Sequence, residues 1–175
     1  MHGLHRYKSA LRAFFAKHDC GIVFFEIGRL SAKGGHAHIQ AVPIPRKLES
    51  QVEDWFIREG RNSGVDFEAD AEGAMKFCAG GRGGYFKVDL PDRRKMVHLI
   101  RDRTPFNLQF GRSVVPWVAW NAFADISRSG IRQVLVSLLN VPERMNWKAC
   151  MLTEEEDRTD AQAFKTAFAP FDPSL

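Results

Sequence analysis

The sequence predicts an α+β protein with antiparallel strands. Stretches of strand composition at 22–27, 36–42, 85–90 and 96–100 come in two pairs, each joined by a short polar or charged link. Apolar residues recur at helical spacing at the start of the chain, after the second stretch and at its end. At 175 residues the chain can bury a real core and fits one to two small domains.

The first helix is expected over 4–17, where Leu4, Tyr7, Leu11, Phe14 and Phe15 form an apolar stripe among Arg and Lys, read as core. Gly21 is expected to end it, and 22–27 to form a strand. The polar, glycine-containing link 31–35 leads into a second strand, which Pro43 and Pro45 should stop, since proline cannot donate to a ladder. Leu48, Val52, Trp55 and Phe56 mark a second helix ending by 60–64. The stretches 62–64 and 69–73 read as turn or loop, and a domain boundary is placed there. Gly80-Gly81-Arg82-Gly83-Gly84 lacks the Gly-Lys-Ser/Thr end of a P-loop and reads as a loop. Two strands, 85–90 and 96–100, flank a basic turn, 91–95, and His98 reads as a structural histidine. Phe110-Gly111-Arg112 should open a helix. Thr153 followed by Glu156 is a capping-box signature for a last helix carrying Ala161, Phe164, Ala167 and Phe168 on one face, expected to pack on the second domain.

Chemistry is suggested by His36-Ala37-His38-Ile39-Gln40. In a strand, alternate side chains share a face, so His36, His38 and Gln40 would project together while Ala37, Ile39 and Ala41 turn inward. A neutral imidazole can attack phosphorus through a covalent phosphohistidine, with His38, flanked on both sides, as the attacker. His-x-His can also give two zinc ligands, but no third is evident nearby. The remaining alternative is a pair of half-buried structural histidines. Spacing leaves all three open. If 22–27 and 36–42 pair antiparallel, Lys33 lies near the row and could reach a phosphate.

The composition, 45% hydrophobic and 26% charged, is that of a soluble globular chain, and no apolar run approaches the roughly 20 residues of a membrane helix. Met1-His2-Gly3 leads into the amphipathic pattern rather than a signal peptide, so cytosol or nucleus is expected. Cys20, Cys78 and Cys150 are odd in number and far apart, which suggests neither a disulfide framework nor a zinc site and points to buried thiols. Net charge is +4, but 76–112 holds nine Lys/Arg against three Asp, a balance compatible with a polyanionic partner. Arg93, Arg94, Lys95, Arg101 and Arg103 are the candidate RNA-phosphate contacts, with Tyr85 and Phe86 as exposed aromatics for base stacking.

His36-Ala-His38-Ile-Gln40, followed by Val42-Pro43-Ile44-Pro45, resembles the histidine-triad (HIT) motif in its His-x-His-x-Gln form. Taken with Arg6-Tyr7-Lys8-Ser9-Ala10-Leu11, Phe24-Phe25-Glu26, Tyr85-Phe86-Lys87-Val88, Gln109-Phe110-Gly111-Arg112, Asn140-Val141-Pro142, Trp147-Lys148-Ala149-Cys150 and Phe168-Ala169-Pro170-Phe171-Asp172, the whole chain resembles the C-terminal part of CwfJ-family splicing proteins. The resemblance implies a partial HIT-like antiparallel sheet with helices, the second half of a HIT-like domain over 1–64, then a small CwfJ C-terminal α/β domain over 75–175. Family members place a Cys-x-x-Cys-containing half before this point, so the chain is expected to be truncated at its N-terminus. In the family pattern Gln-Phe-Gly-Arg runs almost directly into the Leu-rich helix. The stretch 116–133, with Trp117, Trp120 and Phe123, is therefore expected to be an insertion, a retained intron or an annotation error.

By this resemblance the chain is a nuclear factor of the late spliceosome or of intron-lariat debranching. It would bind RNA, in an intron lariat or a snRNA-containing complex, and spliceosomal or debranching proteins, with no membrane, cofactor or metal. The alternative is a HIT-type nucleotide hydrolase or transferase with His38 as nucleophile, His36 and Gln40 positioning ring and phosphoryl oxygens, and Lys33 offsetting charge. Because the first half of the pocket is not in this sequence, binding rather than catalysis is expected.

Overall fold

The computed structural model describes residues 2–29, 38–79, 83–100, 106–107, 110–111 and 153–175. Helix α1 (His2–Ala16) leads through a turn to β1 (Cys20–Arg29) and β2 (His38–Pro45). A 3-10 segment (Arg46–Gln51) and α2 (Val52–Ser63) follow, then α3 (Ala71–Ala79), β3 (Gly84–Asp89), β4 (Lys95–Ile100) and α4 (Glu154–Phe168). The strands form one antiparallel sheet in the order β2-β1-β3-β4, so the class is α+β. The expected boundary between residues 64 and 75 covers the link after α2 and the first turn of α3, and strands from both sides of it are hydrogen-bonded neighbours in this sheet.

β1 is the interior strand around which the helices gather, because it is apolar on both faces. Val23 and Phe25 belong to a core with Ile44, Phe86, Val88 and the α2 residues Val52 and Phe56. Ile22 and Phe24 pack on the opposite face with Phe14 and Phe15 of α1 and Phe168 of α4. Helix α3 covers Tyr85 and Val97 through Ala74 and Cys78. Among the described residues the terminal helix therefore packs on α1 and β1. Phe164 and Phe168 meet Phe14 edge-on, both at 5.8 Å between ring centroids. Its capping box is formed as expected, with Glu156 N–H donating to Thr153 Oγ1 and Thr153 N–H donating to Glu156.

Several local expectations change for identifiable reasons. The chain leaves α1 through Asp19, at φ 54°, and Gly21 lies inside β1, where a Cβ would come within 2.1 Å of the Glu49 carboxylate. Leu4 and Tyr7 are exposed rather than core, because only the later turns of α1 reach the sheet. Pro43 lies within β2, and Pro45 is its last residue, so the strand stops at the second proline and not the first. Among the described residues β2 is an outer strand, and two residues apart both nitrogens face the same side, so neither need donate toward β1. Asp70 accepts from Gly73 N–H at 2.9 Å and starts α3, so 69–73 opens a helix instead of remaining loop.

Candidate functional site

His38 opens β2 in register with Ile27, and Gln40 follows in register with Phe25. The two are at alternate positions of a strand paired with β1, whose residues Ile22 to Glu26 are buried. Gln40 is half-buried. Lys33 and His36 lie outside the described residues. Of the two expected rows only Gln40, Ile39 and Ala41 have described side chains, and Ala41 is exposed. Ile39 packs toward α1, while Ile44, on the same alternation as Gln40, is fully buried toward α2. Gln40 thus shares the alternation of a core residue, because the sheet is packed on both sides.

That face receives a segment distant in sequence. Phe110, 1% exposed, packs edge-on against Phe86 at 5.3 Å, and Phe106 stacks on His98 at 5.7 Å. Helical residue Gly111 lies so close to Phe25 that a Cβ would come within 2.5 Å of the ring. Since Phe25 pairs with Gln40, the Phe110-Gly111 pair lies one strand away from the triad row. The quoted Gln-Phe-Gly-Arg motif carried this signal, though nothing local to it said where it would pack. His98 is structural, with its Nδ1 2.7 Å from the Asp66 carbonyl.

The candidate RNA contacts separate. Arg93 and Lys95 are exposed in and after the β3–β4 turn, and Arg93 has φ 74°. Arg94 is held by Glu53 at 2.6 Å and Asp92 at 2.7 Å; these carboxylates push its pKa further up, and against the desolvation of Asp92 the hydrogen bonds from Arg94 hold the Asp92 carboxyl down. Arg101 and Arg103 lie outside the described residues. Tyr85 and Phe86 are corrected: both are buried, so neither offers a ring face to a base.

Tyr85 instead belongs to a polar cluster that strand alternation within apolar runs could have flagged. Buried Glu26 accepts through Oε1 from the Tyr85 hydroxyl and from Lys87 Nζ, each at 2.8 Å. Burial, then the hydrogen bond to Glu26 and its charge, push the Tyr85 phenol well up. Gly28 makes room for the Tyr85 ring, which a Cβ would approach to 2.4 Å. Nearby, Lys8 pairs with Asp89, and Arg12 lies 4.9 Å over the Phe24 ring while reaching the carbonyls of Ile22, Leu90 and Pro91. This cluster is a hydrogen-bonded core between α1 and β3. Cys20 and Cys78 are buried free thiols, as expected, and Cys150 lies outside the described residues. Among the described residues no three His, Cys, Asp or Glu converge for a metal, and no helix is long and apolar enough to cross a membrane.

Residues 1–57 match the family described as "Protein similar to CwfJ C-terminal", and residues 124–173 match "Protein similar to CwfJ C-terminus 2". The second match begins inside the stretch 116–133. The CWF19-like protein mug161 of Schizosaccharomyces pombe is 27% identical over 169 residues, covering 97% of this chain and 25% of that protein. Zinc finger CCCH domain-containing protein 59 of Oryza sativa is 29% identical over 179 residues, covering 98% and 26%. Human CWF19-like protein 1 is 28% identical over 173 residues, covering 97% and 28%. The chain thus spans about a quarter of the length of the curated relatives it matches.

Proposed function

The chain is a CwfJ-like family member, and from that premise we propose that it is a splicing-related nuclear factor that works by binding RNA and proteins of the late spliceosome or of lariat debranching. The observation that carries this reading is that elements from both family-matched segments share one core, α1 and β1 from the first with α4 from the second. In this reading 1–64 and 75–175 are sequence units of a HIT-like and a CwfJ C-terminal kind, built around a common sheet. The basic segment with Arg93, Arg94, Lys95, Arg101 and Arg103 supplies phosphate contacts. Affinity purification of the tagged protein from nuclear extract tests it, with RNA sequencing and mass spectrometry of what co-purifies. Enrichment of intron lariats or snRNA and of spliceosomal or debranching proteins over a tag-only control is the expected result. Enrichment of neither refutes the reading.

A second reading is favoured by the placement of His38 and Gln40 at alternate positions of β2 on a buried neighbour. His38 is then the nucleophile toward a nucleotide α-phosphate, with His36, Gln40 and Lys33 in support. A neutral imidazole is required, so turnover should decline as pH falls through about 6.5. Holding the phosphate in line matters as much, since a displacement of roughly 1 Å can cost about 100-fold. Trapping a phosphohistidine that disappears in His38→Ala is the test; no adduct with nucleoside phosphoramidates or adenosine dinucleotides removes this reading.

A further inference from the structure

The three consecutive cations of the β3–β4 turn do not share one environment. Leu90 N–H donates to the Arg94 carbonyl at 2.9 Å and Arg93 N–H to the Leu90 carbonyl at 3.0 Å, which closes the turn. Arg94 is committed to the α2 side, where Glu53 takes its guanidinium, and Asp92 accepts from its backbone N–H at 2.9 Å and from its Nε at 2.7 Å. Lys95 is in register with Asp89, so the two share a face, and Asp89 pairs with Lys8 of α1. Lys95 therefore lies on the α1 side; it is exposed, and among the described residues no carboxylate holds it.

Arg12 reaches the same turn from the helix. Its Nη2 donates to the Leu90 carbonyl at 3.4 Å, and its Nη1 to those of Pro91 at 3.4 Å and Ile22 at 3.3 Å. The Leu90 carbonyl thus accepts from both Arg12 and the backbone of Arg93, which seats the helix cation beside the turn. Carbonyls and the Phe24 ring are the only groups among the described residues that touch the Arg12 guanidinium. Asp89, the carboxylate that acts on it most, is taken by Lys8, and Asp92 by Arg94. Partial burial lowers the Arg12 pKa, and the charge of Arg93 lowers it further, against the opposing pull of Asp89, Asp92 and Glu49. A half-buried guanidinium without an ion pair gains from an anion that reaches it.

Arg93 adds a separate observation. Its φ of 74° is left-handed, the conformation that a short hairpin turn normally gives to glycine. A cation kept at a strained backbone position points to use of its side chain. The helix beside the turn is free of acids: His2–Ala16 carries Arg6, Lys8 and Arg12 and neither Asp nor Glu, so it repels no polyanion.

We propose that Arg12 of α1 and Arg93 and Lys95 of the β3–β4 turn form one site for the phosphate backbone of single-stranded RNA, and that Arg94 is not part of it. This rests on the RNA-binding reading and names its site. Arginine forks suit phosphate, since each can give two hydrogen bonds to its oxygens. Arg94 instead braces the turn, because a cation already held by two carboxylates must break those pairs to take a phosphate.

Titration of labelled oligouridine against the whole protein at several salt concentrations tests this. On a single strand each phosphate contact contributes about 0.7 to the slope of log K against log salt. Arg93→Gln/Lys95→Gln should therefore lose about 1.4 in slope and roughly 25-fold in affinity at 0.1 M salt, counted from 1 M. Arg158→Gln/Lys165→Gln, at exposed positions of α4, should leave both unchanged. Arg93→Gly separates binding from folding: the turn is relieved, so the melting midpoint should hold or rise, while affinity falls roughly fivefold. Arg12→Gln, read below its own melting midpoint, should cost the same single increment of about 0.7 in slope. An unchanged slope in Arg93→Gln/Lys95→Gln or in Arg12→Gln, or an equal loss in the α4 pair, overturns the assignment. So does polyglutamate that displaces the RNA as well as unlabelled RNA does at equal charge concentration, which would mark a site for an acidic protein. If the unchanged protein shows no salt-sensitive RNA binding at all, the RNA reading itself fails.

Discussion

Replacing Phe168 by alanine should unfold far more than the C-terminal helix. Phe168 is 7% exposed and sits in a cluster with Phe14, Phe15, Cys20, Ile22 and Phe24. It meets Phe14 edge-on at 5.8 Å and stacks on Phe164 at 5.5 Å. Truncating a buried Phe to Ala costs about 3–5 kcal/mol through lost transfer energy and the cavity left behind. At roughly 2–4 °C per kcal/mol for a chain of this size, the melting midpoint should fall by about 6–20 °C. Because domains are stable by only about 5–15 kcal/mol, that is a large share of the total. Urea unfolding followed by circular dichroism gives the cost, and a double-mutant cycle with Phe14→Ala isolates the pair, whose edge-on contact should couple by about 0.5–1.5 kcal/mol. A loss below about 1 kcal/mol for Phe168→Ala, or strictly additive single variants, would refute the packing of α4 on α1.

Glu26→Ala leaves Lys87 and the Tyr85 hydroxyl buried without their shared acceptor, so denaturant unfolding should register a loss of about 3–5 kcal/mol, while the double change Glu26→Leu/Lys87→Met recovers most of it. Burial, reinforced by the charges of Asp19 and Glu49, pushes the Cys20 thiol from 9.0 up to about 11. The folded form thus keeps a proton that the unfolded chain releases: its contribution is full below pH 9 and drains away as pH rises to 11, by up to about 3 kcal/mol at 1.36 kcal/mol per pH unit. Melting curves from pH 8 to 11.5 should lose that part of their alkaline slope in Cys20→Ala. Thr153→Ala removes the capping box of α4 and should cost about 1 kcal/mol, read as a shift in urea midpoint without a change in slope. If 116–133 is a retained intron, reverse-transcription sequencing will find mature transcripts that lack it; its presence in every transcript ends that idea.

Much of the fold follows from local pattern alone. Alternating and continuous apolar runs marked the four described strands: β1 carries an unbroken run from Ile22 to Phe25, and β3 places Tyr85, Phe86 and Val88 at buried positions. The Thr153/Glu156 pair marked the start of α4 because a capping box closes within one turn. The His-x-His-x-Gln row was visible for the same reason: two-residue spacing is a property of the strand itself. Helix α3 was not, since its start depends on Asp70 capping a segment whose Gly73 reads as a breaker.

What local pattern could not supply was partnership across long separations. Phe168 finds Phe14, Tyr85 finds Glu26 and Gly111 finds Phe25 only when the chain closes on itself, and no periodicity encodes which apolar face meets which. Aromatic residues read as ready for bases, Tyr85 and Phe86, proved to be core once helices covered both sides of the sheet. The basic residues Arg93, Arg94 and Lys95 look like part of one continuous stretch along the chain, yet from Lys95 the six residues of β4 form an extended run paired with β3. The sequence by itself determined the elements and the residues able to do chemistry. Strand order and direction decided which of them stand together, because a strand separates its ends by about 3.3 Å per residue while hydrogen bonding sets its neighbours about 4.8 Å apart.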